Sequence, residues 1–210
     1  MASSRREPED LERELLPAQR GWGPLLERDY WAVIRGCRLR PSQIISHLAR
    51  HFCKFPPPEL VTFRHLPRDA GPRSSLPELL VGDELDVHIR LAGPCRVRVV
   101  SREPQTLTLA TLEGHPEAGR ITFGAYRNDL GAVIFHIRSR ARSSTRIKYV
   151  GFLSAGEPMQ TTTWIDFVKA AALTFGEGVL GHVHVETHII RDEPDDPAIA
   201  FTPTYRAEGD

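Results

Sequence analysis

Two short stretches of this chain bring together residue types that move protons or hold ions. In Gly114-His115-Pro116-Glu117 an imidazole and a carboxylate stand two residues apart, and a turn between strands can hold them close enough for acid–base chemistry. The same residues also make a plain tight turn: Gly and Pro fix the backbone, His115 caps its carbonyls, and no partnered nucleophile is in view. Farther on, His182, His184, Glu186 and His188 share one face if their segment is a strand. A His-x-His pair about 7 Å apart can chelate a divalent metal. All four cannot reach one ion and no second cluster supplies further ligands, so a solvated edge face is expected there. No metal or cofactor is expected, and His182 and His184 are the candidates should a metal bind.

Other groupings point to less. His47 and His51 stand four apart on a predicted helix, but the Glu of a metalloprotease helix is absent between them. Arg138, Arg140, Arg142, Arg146 and Lys148 form a local basic patch that suits a phosphate or carboxylate head group, or equally a solvated outer strand face. Without interleaved aromatics the patch does not read as a nucleic-acid surface. The common phosphate-loop, dinucleotide and nucleophile-elbow patterns are missing.

The elements that must position these groups are legible from periodicity. With 210 residues, 40% hydrophobic and 26% charged, the chain can bury one sizeable core. Its 27 basic and 27 acidic residues cancel, so no global field attracts polyanions or anionic membranes. No stretch approaches the ~20 apolar residues of a membrane span and no signal-like segment opens the chain, so a cytoplasmic protein is expected. Cys37, Cys53 and Cys95 are read as reduced, buried thiols.

Residues 1–27 read as an arm with a short helix around Leu11 to Leu16 as an option, and 192–210 as a loose acidic tail. Between them, residues 28–191 form the predicted domain. A first strand is expected from Asp29 to Gly36, then a helix opened by Pro41 and carrying Ile44, Ile45, Leu48, Ala49 and Phe52. A short strand near Leu60 to His65 and a Pro/Gly/Ser-rich loop from Pro67 to Pro77 follow.

Period-two rows then run Leu85-Val87-Ile89-Leu91, Val97-Val99, Leu107-Leu109-Thr111, Ile121-Phe123-Ala125 and Val133-Phe135-Ile137, an antiparallel meander. These rows turn Arg96, Arg98, Thr106, Thr108, Thr122, His136 and Arg138 to the other face. A long amphipathic helix capped by Thr161-Thr162-Thr163 presents Trp164, Ile165, Phe167, Val168, Ala171, Ala172 and Phe175, and Gly176 stops it. After Gly181 another strand is an option. The order predicts an α+β fold in which a curved antiparallel sheet grips a long C-terminal helix.

Thr111-Leu112-Glu113-Gly114-His115-Pro116-Glu117-Ala118-Gly119, with the Phe-containing strand behind it, resembles a bacterial and plant family of unknown function that carries Thr-Leu-x-Gly-His-Pro-Glu-x-Gly. Ile137-Arg138-Ser139-Arg140 and Gly156-Glu157-Pro158-Met159-Gln160 match two later family patterns, so the resemblance spans roughly residues 80 to 175. The family is similar to the START-like, helix-grip (SRPBCC) superfamily of lipid carriers, hormone receptors and polyketide cyclases. That similarity implies a ligand space between sheet and helix.

The resulting expectation is a binder of a small apolar molecule with Trp164, Phe167, Phe123, Phe135 and Ile137 as walls, and His115 and Arg138 as polar anchors. Those aromatic side chains could equally fill a closed core. A cyclase- or hydrolase-like enzyme using His115 and Glu117 as catalytic acid/base is the alternative, recognisable if both face one cavity. A non-catalytic interaction module is the third reading, recognisable by a fully packed core. Ligand identity and oligomeric state are not legible.

Overall fold

A computed structural model describes residues 15–66, 78–145 and 157–191. Over these residues the period-two rows become strands β1 (Trp22–Ile34), β2 (Val61–Leu66), β3 (Glu84–Ile89), β4 (Gly93–Glu103), β5 (Thr106–Thr111), β6 (Glu117–Arg127), β7 (Val133–Ser143) and β8 (Val179–Ile190). They pair antiparallel in one sheet, ordered β2-β3-β4-β5-β6-β7-β1-β8. Helices α1 (Pro41–His51) and α2 (Glu157–Phe175) complete an α+β fold. Register shifts at Trp22/Leu26, Trp31/Val33 and Val99/Ser101 interrupt the ladders, and such irregularities bend and twist the strands they occupy.

Register decides which side chains meet the helices. Phe123 pairs with Ile137 and Ile137 with Tyr30, a row across β6, β7 and β1 in which each residue is fully buried. Two residues along the same row, Ile121 pairs with Ser139 and Ser139 with Arg28, so a serine and an arginine also point inward. Helix α1 starts at Pro41, as predicted, and the Gln43 side chain accepts the Arg40 backbone N–H at 2.9 Å, satisfying an otherwise orphaned donor. Its Ile44, Ile45, Leu48 and Ala49 are buried. The Phe167, Val168, Ala171, Ala172 and Phe175 stripe of α2 is buried as well.

Several boundaries differ from expectation. Strand β1 begins at Trp22 rather than Asp29, and residues 15–27, expected in the arm, hold buried Leu16, Ala18 and Leu25. Gly23 and Pro24 read as breakers, but β1 carries them in the stretch where its ladder to β7 shifts register. Helix α2 begins at Glu157, so Thr161–Thr163 sit inside the helix instead of capping it. Nor is α2 the last element: β8 follows and pairs with β1 along the sheet edge. Cys53 is exposed, not buried. Expectations for 1–14, the 67–77 loop, Arg146, Lys148 and the tail from 192 lie outside the described residues.

Candidate functional site

The space between sheet and helices divides along the strands. Toward one end it is solid: Phe52, Phe55, Phe123, Phe135, Phe167 and Phe175 pack ring against ring, with centroid separations of 5.0 to 6.2 Å. Toward the other end the same inward rows line a cavity of about 620 Å³. On β5 the boundary falls between packed Leu107 and cavity-lining Leu109, on β6 between Phe123 and Ile121, on β7 between Ile137 and Ser139, and on α2 between Phe167 and Trp164. Trp164 closes the packed end, its ring 5.8 Å from Phe123 and 5.9 Å from Phe167. The far walls are aliphatic and aromatic, including Val61, Phe63, Val87, Ile89 and Val97.

Polar groups gather on one side of this cavity, where β6 begins. The segment Thr111 to Gly119 is folded by its own side chains. Thr111 Oγ1 accepts the Gly119 N–H at 3.0 Å, and it lies 3.1 Å from the Gly119 carbonyl and 2.9 Å from that of Leu16 as a donor. His115 Nδ1 lies 3.0 Å from both the N–H and the carbonyl of Glu117, so either tautomer is held against the backbone. Gly114 takes the left-handed conformation, φ +90°, that the turn requires. This lattice delivers His115, Pro116 and Glu117 to the cavity wall together.

Glu117 sits within a ring of polar neighbours. Its Oε2 accepts from Gln160 Nε2 at 3.0 Å, and its Oε1 lies 3.5 Å from Nη1 of Arg28, which is 2% exposed. Burial pushes the Glu117 carboxyl above its ordinary value, outweighing the pull of Arg28 and the Gln160 hydrogen bond. A carboxyl raised on folding contributes stability present below its unfolded value and lost as pH climbs toward the folded one. Wild type should therefore lose stability relative to Glu117→Gln as pH rises from below 4.5 to neutrality, measured by urea midpoints at each pH. A difference that does not change with pH, or a wild type that gains on the variant as pH rises, would show that Arg28 dominates.

On residues of the cavity wall, Ser139 Oγ, Gln160 Oε1 and Trp164 Nε1 are themselves buried and meet no hydrogen-bond partner among the described residues. Native interiors leave few such atoms, and each costs about 1–3 kcal/mol unless something satisfies it. Ser139 faces Arg28 across the β1–β7 ladder, Gln160 touches Glu117, and Trp164 lies one helical turn beyond Gln160.

The expected site residues thus part company. His115, Glu117 and Trp164 meet at the cavity. Phe123, Phe135, Ile137 and Phe167 do not line it; each is fully buried in the packed end, because aromatic rings stacked this closely leave no ligand space. Arg138 is corrected from anchor to structural residue. It lies on the opposite face of the sheet, where its Nε donates to Asp29 Oδ1 at 2.6 Å.

That opposite face is buried where solvent was expected. Arg98, Thr108, Thr122, His136 and Arg138 are all buried. Burial disfavours the Asp29 carboxylate, but His136 and Arg138 together hold its pKa below the ordinary value. Burial likewise lowers His136 despite Asp29, which leaves a neutral ring donating from Nε2 to Asp29 at 2.5 Å and accepting at Nδ1 from the Tyr126 hydroxyl at 3.3 Å. Burial pushes the Tyr126 phenol up to about 12, keeping it a donor.

The remaining histidines stand apart from the cavity. On β8, His182, His184, Glu186 and His188 are exposed; the first two rings are 4.3 Å apart, and His184 stacks on Trp31 at 5.0 Å. Among the described residues no group of three His, Cys, Asp or Glu could hold a metal. His47 packs its edge on Phe175 beside His51.

Arg28, Ser139 and Gln160 were not among the expected site residues. Ser139 was within reach of the pattern, since the inward row Val133, Phe135, Ile137 continues to it. Arg28 carried no such signal, because a charged residue ahead of the expected first strand reads as solvated.

The chain belongs to a family described as a domain of unknown function, DUF1990, whose pattern matches residues 58–166, more than half of the sequence. No curated protein matches it. Among solved structures it is similar to the KanY protein, with 9% identity, 75% of this chain and 100% of that one covered, and a TM-score of 0.53, a likeness of fold. It is also similar to the di-domain ARO/CYC StfQ of the steffimycin biosynthetic pathway (10% identity, 73% and 51% covered, TM-score 0.48). Norcoclaurine synthase from Thalictrum flavum, a point mutant in complex with a transition-state analogue, aligns with 12% identity over 73% and 98% of the two chains, TM-score 0.48. No described helix is long and apolar enough to cross a membrane.

Proposed function

We propose that this DUF1990 protein is a helix-grip, START-like binder of a small, largely apolar molecule, held between the bent sheet and the first half of α2. The observation that carries this reading is the cavity itself. Its volume of about 620 Å³ lies within the range of small-molecule sites, roughly 300–1,000 Å³, and its walls are apolar apart from one polar cluster. A chain built only to present a surface gains nothing from leaving such space in its core, since unfilled volume costs about 24 cal/mol per Å³. Trp164 and the aliphatic residues of β2–β4 supply the contact area, and the groups around Glu117 supply orientation.

Native and denatured mass spectrometry of the purified chain should differ by the mass of a small organic molecule. A bare native mass, combined with no uptake of apolar probes, would remove the reading.

One observation favours a second reading, a cyclase- or hydrolase-like enzyme. His115 and Glu117 face the same cavity, and a carboxyl raised by burial is suited to giving and taking a proton near neutrality. Under that reading Glu117→Gln keeps ligand affinity and loses turnover.

A further inference from the structure

Strand β8 ends one side of the sheet, and among the described residues β1 is its one ladder partner. Its far edge therefore turns a row of backbone N–H and C=O groups away from the sheet, a template for another strand. Its two faces are open as well: Val185 is 39% exposed and Ile189 70%, and His184, Glu186, Thr187 and His188 are exposed. Natural edges are blunted by lysine, proline or bulges. From His184 to Ile190 there is neither lysine nor proline, and the ladder to β1 is regular from Leu25↔Ile190 to Trp31↔His184.

That regular stretch centres on Thr187, and its residue types are complementary to their own reverse about that centre. Glu186 and His188 stand one position to either side, Val185 and Ile189 two. Two copies laid antiparallel with Thr187 opposite Thr187 set Glu186 across from the second copy's His188 and Val185 across from its Ile189, and each pair occurs twice. The faces agree. Val185 and Ile189 pair with Tyr30 and Leu26 on the inward row, so the apolar pairs fall on the core side of the sheet. Glu186 and His188, beside Asp29 and Glu27, fall on the outer side. Within one chain Glu186 Oε2 and His188 Nε2 lie 3.3 Å apart on exposed side chains, a solvated pair that loses little by exchanging partners. Charge also fixes the register: centring the pair on Glu186 would set two carboxylates face to face, and centring it on His188 two imidazoles.

We propose that β8 pairs with β8 of a second copy, antiparallel and centred on Thr187, joining two sheets into one. Such a contact is isologous and closes after two copies. The other end of the sheet offers no equal edge, since β2 has six residues against twelve in β8 and carries the exposed Arg64. None of the residues lining the cavity belongs to β8, so pairing is independent of the ligand reading and leaves the cavity accessible.

The test is sedimentation velocity of the full chain at neutral pH from about 1 to 100 µM, where a reversible monomer–dimer equilibrium is expected. His188→Glu sets a carboxylate against Glu186 at both copies of the pair and should weaken the dimer roughly tenfold or more. Adding Glu186→Lys restores opposite charges in this register and should return most of the lost affinity. Thr187→Cys places two thiols on the two-fold axis, with Cα atoms about 4.5 to 5.5 Å apart and within disulfide reach, so mild oxidation should cross-link it well beyond wild type. Urea unfolding at dilution, where every variant is monomeric, separates a loss of pairing from a loss of folding. A wild type that stays monomeric at the highest concentration overturns the inference. So does a dimer indifferent to His188→Glu, a loss that Glu186→Lys does not repair, or a Thr187→Cys that cross-links no more than wild type.

Discussion

Gly119→Ala should cost more than about 4 kcal/mol, or prevent folding outright, although the change adds one methyl group. A Cβ at this position would lie 2.7 Å from Ala141 Cα and closer still to the Arg140 carbonyl oxygen, atoms of the neighbouring strand's backbone. Neither can retreat without breaking the β6–β7 ladder, in which Gly119 faces Ala141. The local φ of +152° adds strain for any side chain. Thr111 grips the Gly119 backbone by its N–H and carbonyl, so the clash would also loosen the segment that delivers His115 and Glu117 to the cavity. Gly114→Ala is the control. It has open space around its Cβ and only a left-handed φ to oppose it, so its loss should be about 1–2 kcal/mol. Urea denaturation of the two variants separates them, and equal losses would show that close strand approach at Gly119 is not the constraint.

Asp29→Asn should be the second severe change, at about 3–5 kcal/mol by the same measurement. Asp29 is 4% exposed and answers two buried groups at once, the Arg138 guanidinium and the His136 Nε2–H. An amide leaves the Arg138 charge buried without its counter-ion. Acid should weaken the wild type through the same cluster. As pH falls through His136's ordinary value of 6.5, the unfolded ring takes a proton that the folded one resists, and stability drops. Below 3.8 the Asp29 carboxylate begins to lose what His136 and Arg138 contribute. A variant that keeps wild-type stability at neutral pH would mean that the outer-face cluster is solvated after all.

These two residues mark what pattern reading reaches. The inward rows of β3 to β7, the Pro41 helix and the Asn128 turn are local properties. At that turn the Asn128 side chain accepts from the Leu130 and Ala132 N–H groups while Gly131 takes φ +78°, so a sequence of Asn, Asp and Gly announces it. The division of the interior into a packed aromatic end and an open end is not local. It depends on how sharply the sheet bends across strands far apart in the chain, and the Phe167 stripe reads identically in either case.

Burial of the outer face escaped for a similar reason. Polar residues at alternate positions predict solvent, whereas Asp29 and Arg138 meet across 109 residues of sequence and satisfy each other. Glu117 was legible as chemistry in a turn, but its partners Arg28 and Gln160 come from the two other ends of the fold.

The most direct measurement is fluorescence titration of the apolar probe N-phenyl-1-naphthylamine into wild type and into the double variant Val87→Phe/Ile121→Trp. Both positions line the cavity, from β3 and β6 of the one sheet, and larger side chains there occupy the space a ligand would need. Saturable one-to-one binding to wild type, weakened roughly tenfold or more in a double variant that still unfolds cooperatively, is the result expected of a ligand site between sheet and helix. Equal affinity in the two proteins would place the probe elsewhere and contradict it.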